Sequence, residues 1–168
     1  MKNVITLITQ VATIFALALW LGGMLMLGAV VAPIVFSVVP ARASADAMTM
    51  VFRRFDAVAI TSAAVVLFCE LWRVRITPKI ARIDIARGIA LATAGLLALY
   101  EGMVVSPRVE SLHRAGAIRG SGDLGLQLES AHSLAEAISK GEALLLVVFI
   151  FLYVMTGRAR PAAGEIRD

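Results

Sequence analysis

The sequence predicts an all-α integral membrane protein, a four-helix bundle with a polar, partly helical outer loop between spans three and four. Two observations predict this class. Of the 168 residues 60% are hydrophobic, and the mean hydropathy is +0.86, whereas soluble domains average about 45–50% apolar residues. The apolar residues also gather in long stretches with few charges, which is typical of membrane spans. We therefore expect one four-span domain over residues 1–168, without a tandem repeat.

The first span is predicted at residues 4–36. Residues 4–39 carry no charged side chain, and this run is longer than the roughly 7–15 apolar residues of a cleavable signal peptide. We therefore expect it to be retained. At 1.5 Å per residue the helix exceeds a hydrocarbon core of about 30 Å, so it must tilt, kink or protrude. Pro33 is the expected kink or end point.

The other spans are predicted at residues 57–73, 83–105 and 138–157. An amphipathic lead-in over residues 44–56 precedes the second, whose far interface is marked by Trp72 and Arg73. The third ends before Ser106, where a short helix is expected to begin with Pro107 in its first turn. The last helix is expected to cover residues 124–156, with Asp123 as its N-cap.

Small side chains recur every fourth residue in two spans. The third span has Ala90, Ala94, Ala98 and Gly102, and the first repeats the spacing as Ala18/Gly22 and Gly28/Ala32. Such ridges allow helices in lipid to approach closely. They predict tight helix packing, either within the bundle or in a homo-oligomer or larger membrane complex.

The distribution of basic residues predicts the orientation. Nine lysines and arginines fall on the side that holds both termini, against seven on the other side, and five of the nine cluster at residues 73–87. Basic residues near span ends favour the cytoplasmic side. We expect a bacterial inner-membrane protein with cytoplasmic N- and C-termini and residues 106–140 outside.

Several classes of function are excluded or disfavoured. The single cysteine, Cys69, lies in an apolar run, so a disulfide within one chain and a cysteine metal cluster are excluded. The glycines after Ala115 lack the lysine of a phosphate-binding loop. The net charge of +4 is attributed to topology and lipid contact, so we expect no nucleic-acid partner. No catalytic constellation is seen, and we do not expect an enzyme.

Ionisable residues in and near the spans predict two polar groupings. Glu70 lies three residues before Arg73 on one helical face, which favours an ion pair. At the outer level charged side chains enter three spans, and charges inside a membrane are functional candidates. We expect an interhelical network of both signs there, with Glu101 paired to one of the arginines; its members are Arg53, Arg54, Asp56, Glu101 and Glu142.

The two histidines share one spacing. Each has a glutamate three residues before it, so each pair shares one helical face. Paired Glu-x-x-His motifs build di-iron sites in helix bundles. The spacing predicts one divalent ion (zinc, iron or manganese) at the outer surface. The predicted ligands are Glu110, His113, Glu129, His132 and Glu136; the alternative is an acidic loop without metal.

The first span resembles the CopD-like group of small four-span membrane proteins, through Leu19-Trp20-Leu21-Gly22-Gly23 and Ala32-Pro33-Ile34-Val35-Phe36. It is most similar to an uncharacterised bacterial and eukaryotic branch, whose later Pro-Arg-Ile-like segment and histidine would be Pro107-Arg108-Val109 and His132. The resemblance implies a four-helix bundle without an established activity. The wider group is linked to copper handling or haem-pathway oxidation and carries histidines within spans; this chain has none there, so haem is not expected.

Together these features predict a non-enzymatic inner-membrane protein that binds or passes a small ligand at its outer face, a divalent metal ion being the most specific candidate. The first alternative is a structural or accessory subunit of a larger membrane complex. The third possibility is a membrane redox enzyme of the haem-pathway type.

Overall fold

A computed structural model describes residues 2–77 and 80–158 and confirms the predicted all-α class. The described part of the chain forms six α-helices and two short π-helices, and it contains no strand. In chain order these are α1 Lys2–Met26, π1 Leu27–Val31, α2 Ala32–Val38, α3 Ala41–Ile76, α4 Arg82–Tyr100, π2 Glu101–Val105, α5 Ser106–Arg114 and α6 Gly122–Arg158.

These helices combine into four continuous rods that are long and apolar enough to cross a membrane. The first to fourth spans are Val4–Val38, Ala43–Ile76, Arg82–Arg114 and Gly122–Thr156. At 33–35 residues, each rod is about 50 Å long, well beyond the ~30 Å hydrocarbon core. The helices therefore continue into the polar segments, which explains why the predicted second, third and fourth spans are shorter than the helices observed.

Two predicted details change as a result. The lead-in over residues 44–56 is part of α3, without a break before the second span. The last helix begins at Gly122, so Asp123 lies in its first turn and is not its N-cap. A carboxylate in the first turn still interacts favourably with the positive end of the helix dipole.

The bundle has two ends, named here for use below. The loop end holds the connection at residues 39–40 and the longer loop at residues 115–121. The termini end holds the end of α3, the start of α4, the start of α1 at Lys2 and the end of α6 at Arg158. Each span packs against the next in sequence, most closely the third against the fourth.

The core runs along the middle of the bundle and contains most of the predicted ridge of the third span. Ala90, Ala94 and Ala98 are buried there, together with Trp20 and Phe149. The third span also lies close to the second at Gly102, where an added Cβ would lie 3.0 Å from Ile60 and 3.2 Å from Asp56. The ridge thus serves contacts within the chain.

The first and third spans share one short pattern. Gly-Ala-Val-Val-Ala-Pro at residues 28–33 corresponds to Gly-Met-Val-Val-Ser-Pro at residues 102–107. The π-helices begin at Leu27 and Glu101, 74 positions apart. Buried positions match at the same offset, pairing Thr13 with Arg87, Ala16 with Ala90, Leu17 with Leu91 and Trp20 with Ala94.

The prolines explain the two π-helices. Proline has no N–H, and its ring clashes with the carbonyl four residues earlier in an α-helix. A π turn widens the helix at that point. In each span the residue before the proline donates its N–H to the carbonyl five residues back, from Ala32 to Leu27 and from Ser106 to Glu101.

Candidate functional site

A cavity of about 340 Å³ opens near the loop end and is lined by all four spans. Its volume lies at the lower end of the range for small-molecule pockets, roughly 300–1,000 Å³. Most of the wall is apolar and includes Met24, Phe52, Phe55 and Ala59. The two π turns both reach it, through Leu27 and Gly28 on one side and Glu101 on the other. π turns are frequent at functional sites.

Glu142 is the most buried carboxylate in this cavity, with 2% of the residue exposed. Its Oε2 accepts a hydrogen bond from the indole Nε1 of Trp20, at 3.1 Å, which joins the fourth span to the first. Its Oε1 is buried and has no donor. A buried carboxylate oxygen without a donor is costly, so this atom is poised for an additional partner.

Glu101 lies beside Glu142, across the contact between the third and fourth spans. The hydroxyl of Ser139 is 3.2 Å from each of its carboxylate oxygens. Glu101 and Glu142 are also within hydrogen-bonding reach of each other. Because two carboxylates have no donor between them, such a hydrogen bond requires a proton on one of the pair.

Asp56 brings a third carboxylate to the cavity, from the second span. It accepts a hydrogen bond from the side chain of Ser106, whereas its Oδ2 is buried without a partner. It is close enough to repel both Glu101 and Glu142 electrostatically. Three acidic side chains from three spans therefore face one space.

The nearby bases are held elsewhere, so the expected pairing of Glu101 with an arginine is wrong. Arg53 donates from Nη1 to the carbonyl oxygen of Gly102 at 2.9 Å, and its Nε lies 3.5 Å from Glu110. The Gly102 carbonyl is free because the N–H of Ser106 bonds to Glu101 and Pro107 has none. Arg54 is exposed.

Lys140 and Glu136 mark the mouth of the cavity. Both side chains are largely exposed, and the ammonium group lies 2.7 Å from Glu136 Oε1. This pair neutralises itself at the surface. Lys140 therefore does not supply a positive charge to the carboxylates inside the cavity.

The predicted metal ligands are brought together only in part. The rings of His113 and His132 lie with centroids 5.7 Å apart, at 64° to each other. Their glutamates pair with bases instead, Glu110 with Arg114 at 2.7 Å and Glu129 with Arg119 at 3.2 Å. Glu136 pairs with Lys140. Among residues 2–77 and 80–158, no group of three or more His, Cys, Asp or Glu side chains could hold a metal ion.

A second polar cluster lies at the termini end. Arg87 is buried and donates to Glu70 Oε2 at 2.8 Å and to Thr156 at 2.5 Å. Arg73 bonds to the same Glu70 oxygen at 3.2 Å, which confirms the predicted pair, and to Asp84 at 2.9 Å. The two arginines and the two carboxylates balance in charge. Because these four residues come from the second and third spans and Thr156 comes from the fourth, the cluster links all three spans.

Several residues of these sites were not predicted as such. In the sequence, Trp20 is noticed only as part of a motif and Ser139 is not singled out, yet both donate to the cavity carboxylates. Ser139 and Glu142 are three residues apart on one helical face, and this spacing in the sequence could have indicated that both belong to one site. The partner of Arg87 could not be read from the sequence, because it comes from another span.

Comparisons with known proteins give one match. A family model described as "Domain of unknown function (DUF4149)" matches residues 15–117, which include most of the first span, the second and third spans and both π turns. No curated protein matches the chain, and no solved structure matches it.

Proposed function

Because the chain belongs to the DUF4149 family, whose function is unknown, we propose from the cavity alone that this protein binds a small organic cation within the membrane. One observation carries the proposal: Glu142 is buried with an oxygen that lacks a donor, in a cavity that two other carboxylates face. A positive charge placed there would offset the repulsion among three acids.

The shape and chemistry of the cavity favour an organic ion over a bare metal ion. The space of about 340 Å³ corresponds to roughly ten water molecules in the liquid. Its wall is mainly apolar, and Phe52 and Phe55 line it. Aromatic rings and carboxylates together recognise alkylammonium groups, through cation–π contact and charge. A lipophilic or quaternary amine is therefore the ligand class proposed.

Choline and its neutral carbon isostere, 3,3-dimethyl-1-butanol, test this proposal in calorimetric titrations of the detergent-purified protein. We expect choline to bind and the neutral isostere not to bind. Glu142→Gln should weaken its binding at least about tenfold, which corresponds to 1.4 kcal/mol, because the buried charge is lost. The control is Asp46→Asn, an exposed acid of the second span, which should leave the affinity unchanged. Equal binding of choline and its isostere, or no effect of Glu142→Gln, would contradict the proposal.

A divalent metal ion at the outer histidines stays a second candidate, favoured by the 5.7 Å between the two rings. Imidazole nitrogens bind zinc at about 2.0–2.1 Å, so the pair could act as two ligands, with water completing the shell. Zinc titrated into the same preparation would bind and be lost in His132→Ala if this candidate holds. Zinc binding that survives His132→Ala would remove it.

We also propose the predicted orientation, with both termini cytoplasmic. Arg73 and Arg87 on the side of the termini pair with Glu70 and Asp84. On the other side four of the seven bases pair with acids: Arg53, Arg114, Arg119 and Lys140. Leaving out the bases in these ion pairs makes the count seven against three, in the same direction. Single cysteines at Gly116 and Arg160 (the latter outside the described residues), in a Cys69→Ala background, should react with an impermeant reagent from opposite sides of the inner membrane. Reaction of both from the periplasm would overturn the orientation.

The accessory-subunit and redox-enzyme alternatives remain proposals. An accessory subunit or homo-oligomer is supported by the first span, where Gly22 and Gly28 meet no neighbouring group within 4 Å of an added Cβ. A wider relationship to the CopD-like group rests on the Trp-Leu-Gly-Gly stretch at residues 20–23. A redox enzyme of that group has the least support, since the two histidines, His113 and His132, lie in the parts of the third and fourth spans near the loop end.

A further inference from the structure

We infer that a cation entering this cavity displaces a proton shared by Glu101 and Glu142, so that binding exchanges one positive charge for another. The inference rests on the proposed function and concerns the same cavity. It goes further because it makes ligand binding a proton-coupled event.

The first step is the count of charged groups that face the pair. The second span contributes Asp56 and Arg53. The Arg53 guanidinium already donates a hydrogen bond to the backbone carbonyl of Gly102 in the third span. The fourth span contributes Glu136 and Lys140, which neutralise each other at the mouth. The described part of the first span carries no charge at this level and contributes the Trp20 indole. No base therefore contacts Glu101 or Glu142 within the described residues.

The second step is the donor count. Trp20 gives one hydrogen bond to Glu142, and Ser139 gives one to Glu101. Glu142 Oε1 and Asp56 Oδ2 remain without donors. Two ionised carboxylates in contact, with a third nearby and only two neutral donors, would repel one another in a poorly hydrated space. A single proton between the pair removes one negative charge and supplies the missing donor.

The third step is the exchange itself. When an ammonium group enters, the O–H bond of the protonated carboxyl breaks and the proton passes through the mouth to bulk solvent. Both carboxylates are then ionised and face the cation. The charge inside the cavity is unchanged by the exchange, so the ligand does not bring a net charge into the low-dielectric region. Since the proton and the cation compete, binding should strengthen as the pH rises.

Calorimetric titration of the full-length protein with choline, in two buffers of different ionisation enthalpy, measures the protons released for each cation bound. We expect close to one proton to be released per cation at one pH unit below the pH where acid halves the affinity, and up to a tenfold gain in affinity per pH unit in that acidic range. In Glu101→Gln the partner of Glu142 has no proton to give. This variant should release less than a fifth of the wild-type proton count, with a shallower pH dependence, even where its affinity is reduced.

The outcomes separate the two proposals. Choline binding with identical apparent enthalpy in both buffers would overturn the exchange and leave the proposed function standing. No choline binding in the wild type would overturn both. If Glu101→Gln does not fold, Ser139→Ala provides a second variant: it removes the donor of Glu101 but not the proton, so release should persist. Proton release that is unchanged in Glu101→Gln would also overturn the inference.

Discussion

Arg87→Met should lower the free energy of unfolding by about 3–5 kcal/mol, the cost of removing one partner from a buried ion pair. The guanidinium side chain is 1% exposed and makes two hydrogen bonds to Glu70 Oε2. It also lies over the rings of Phe149 and Tyr153. Methionine would fill much of the space, but Glu70 and Asp84 would be left with Arg73 as their only base.

Unfolding in mixed detergent micelles, followed by circular dichroism, measures this effect. The matched control is Arg75→Met, which removes an exposed arginine near the same end of the bundle and should change stability by less than about 0.5 kcal/mol. Combining Arg87→Met with Glu70→Leu should recover part of the loss, because an apolar replacement of both partners leaves fewer buried charges unpaired. Equal losses for Arg87→Met and Arg75→Met would refute the role assigned to this cluster.

Trp20→Ala should cost about 3–5 kcal/mol, typical of emptying a buried aromatic site. Trp20 is completely buried in the core between the first and fourth spans. The alanine would also remove the indole N–H that donates to Glu142 Oε2. Trp20→Phe separates the two effects, because it keeps most of the apolar volume and removes the donor alone.

The same micelle unfolding assay applies, with Trp72→Ala as control because that ring is 39% exposed near the termini end. Trp20→Phe should cost about 1–3 kcal/mol, the range for a buried polar group that loses its partner. It should also weaken choline binding, because the indole would no longer fix the position of the Glu142 carboxylate. A Trp20→Phe protein as stable as the wild type would show that the indole hydrogen bond contributes nothing.

Much of the fold follows from local pattern. Apolar runs of sufficient length predict the four spans, and four-residue spacing predicts that Ala94 and Ala98 face another helix. The Glu70–Arg73 pair could be predicted as well, because both residues lie on one helical face. The ends of the helices were predicted less well, since polar residues do not stop a helix that neighbouring helices continue to support.

The site was predicted as a set of residues but not as an arrangement. Asp56, Glu101 and Glu142 were expected at one depth, and the structure does bring them together. The partners of these carboxylates depend on how each helix is rotated about its own axis relative to its neighbours. The spacing of apolar residues within one span does not determine that rotation. Pro107 also frees a backbone carbonyl that binds Arg53, so a base expected to neutralise Glu101 is occupied by the main chain instead.

The matching registers of the first and third spans bear on the symmetry of the cavity. Each half of the chain is a hairpin of two helices whose first member carries a π turn before a proline. In a symmetric pair of such hairpins, both turns would present the same side chain. Here one presents Leu27 and the other Glu101. The backbone of the two turns is therefore repeated while their chemistry is not, so a cation in the cavity would meet an acid on one side and an apolar side chain on the other, which gives it a preferred orientation.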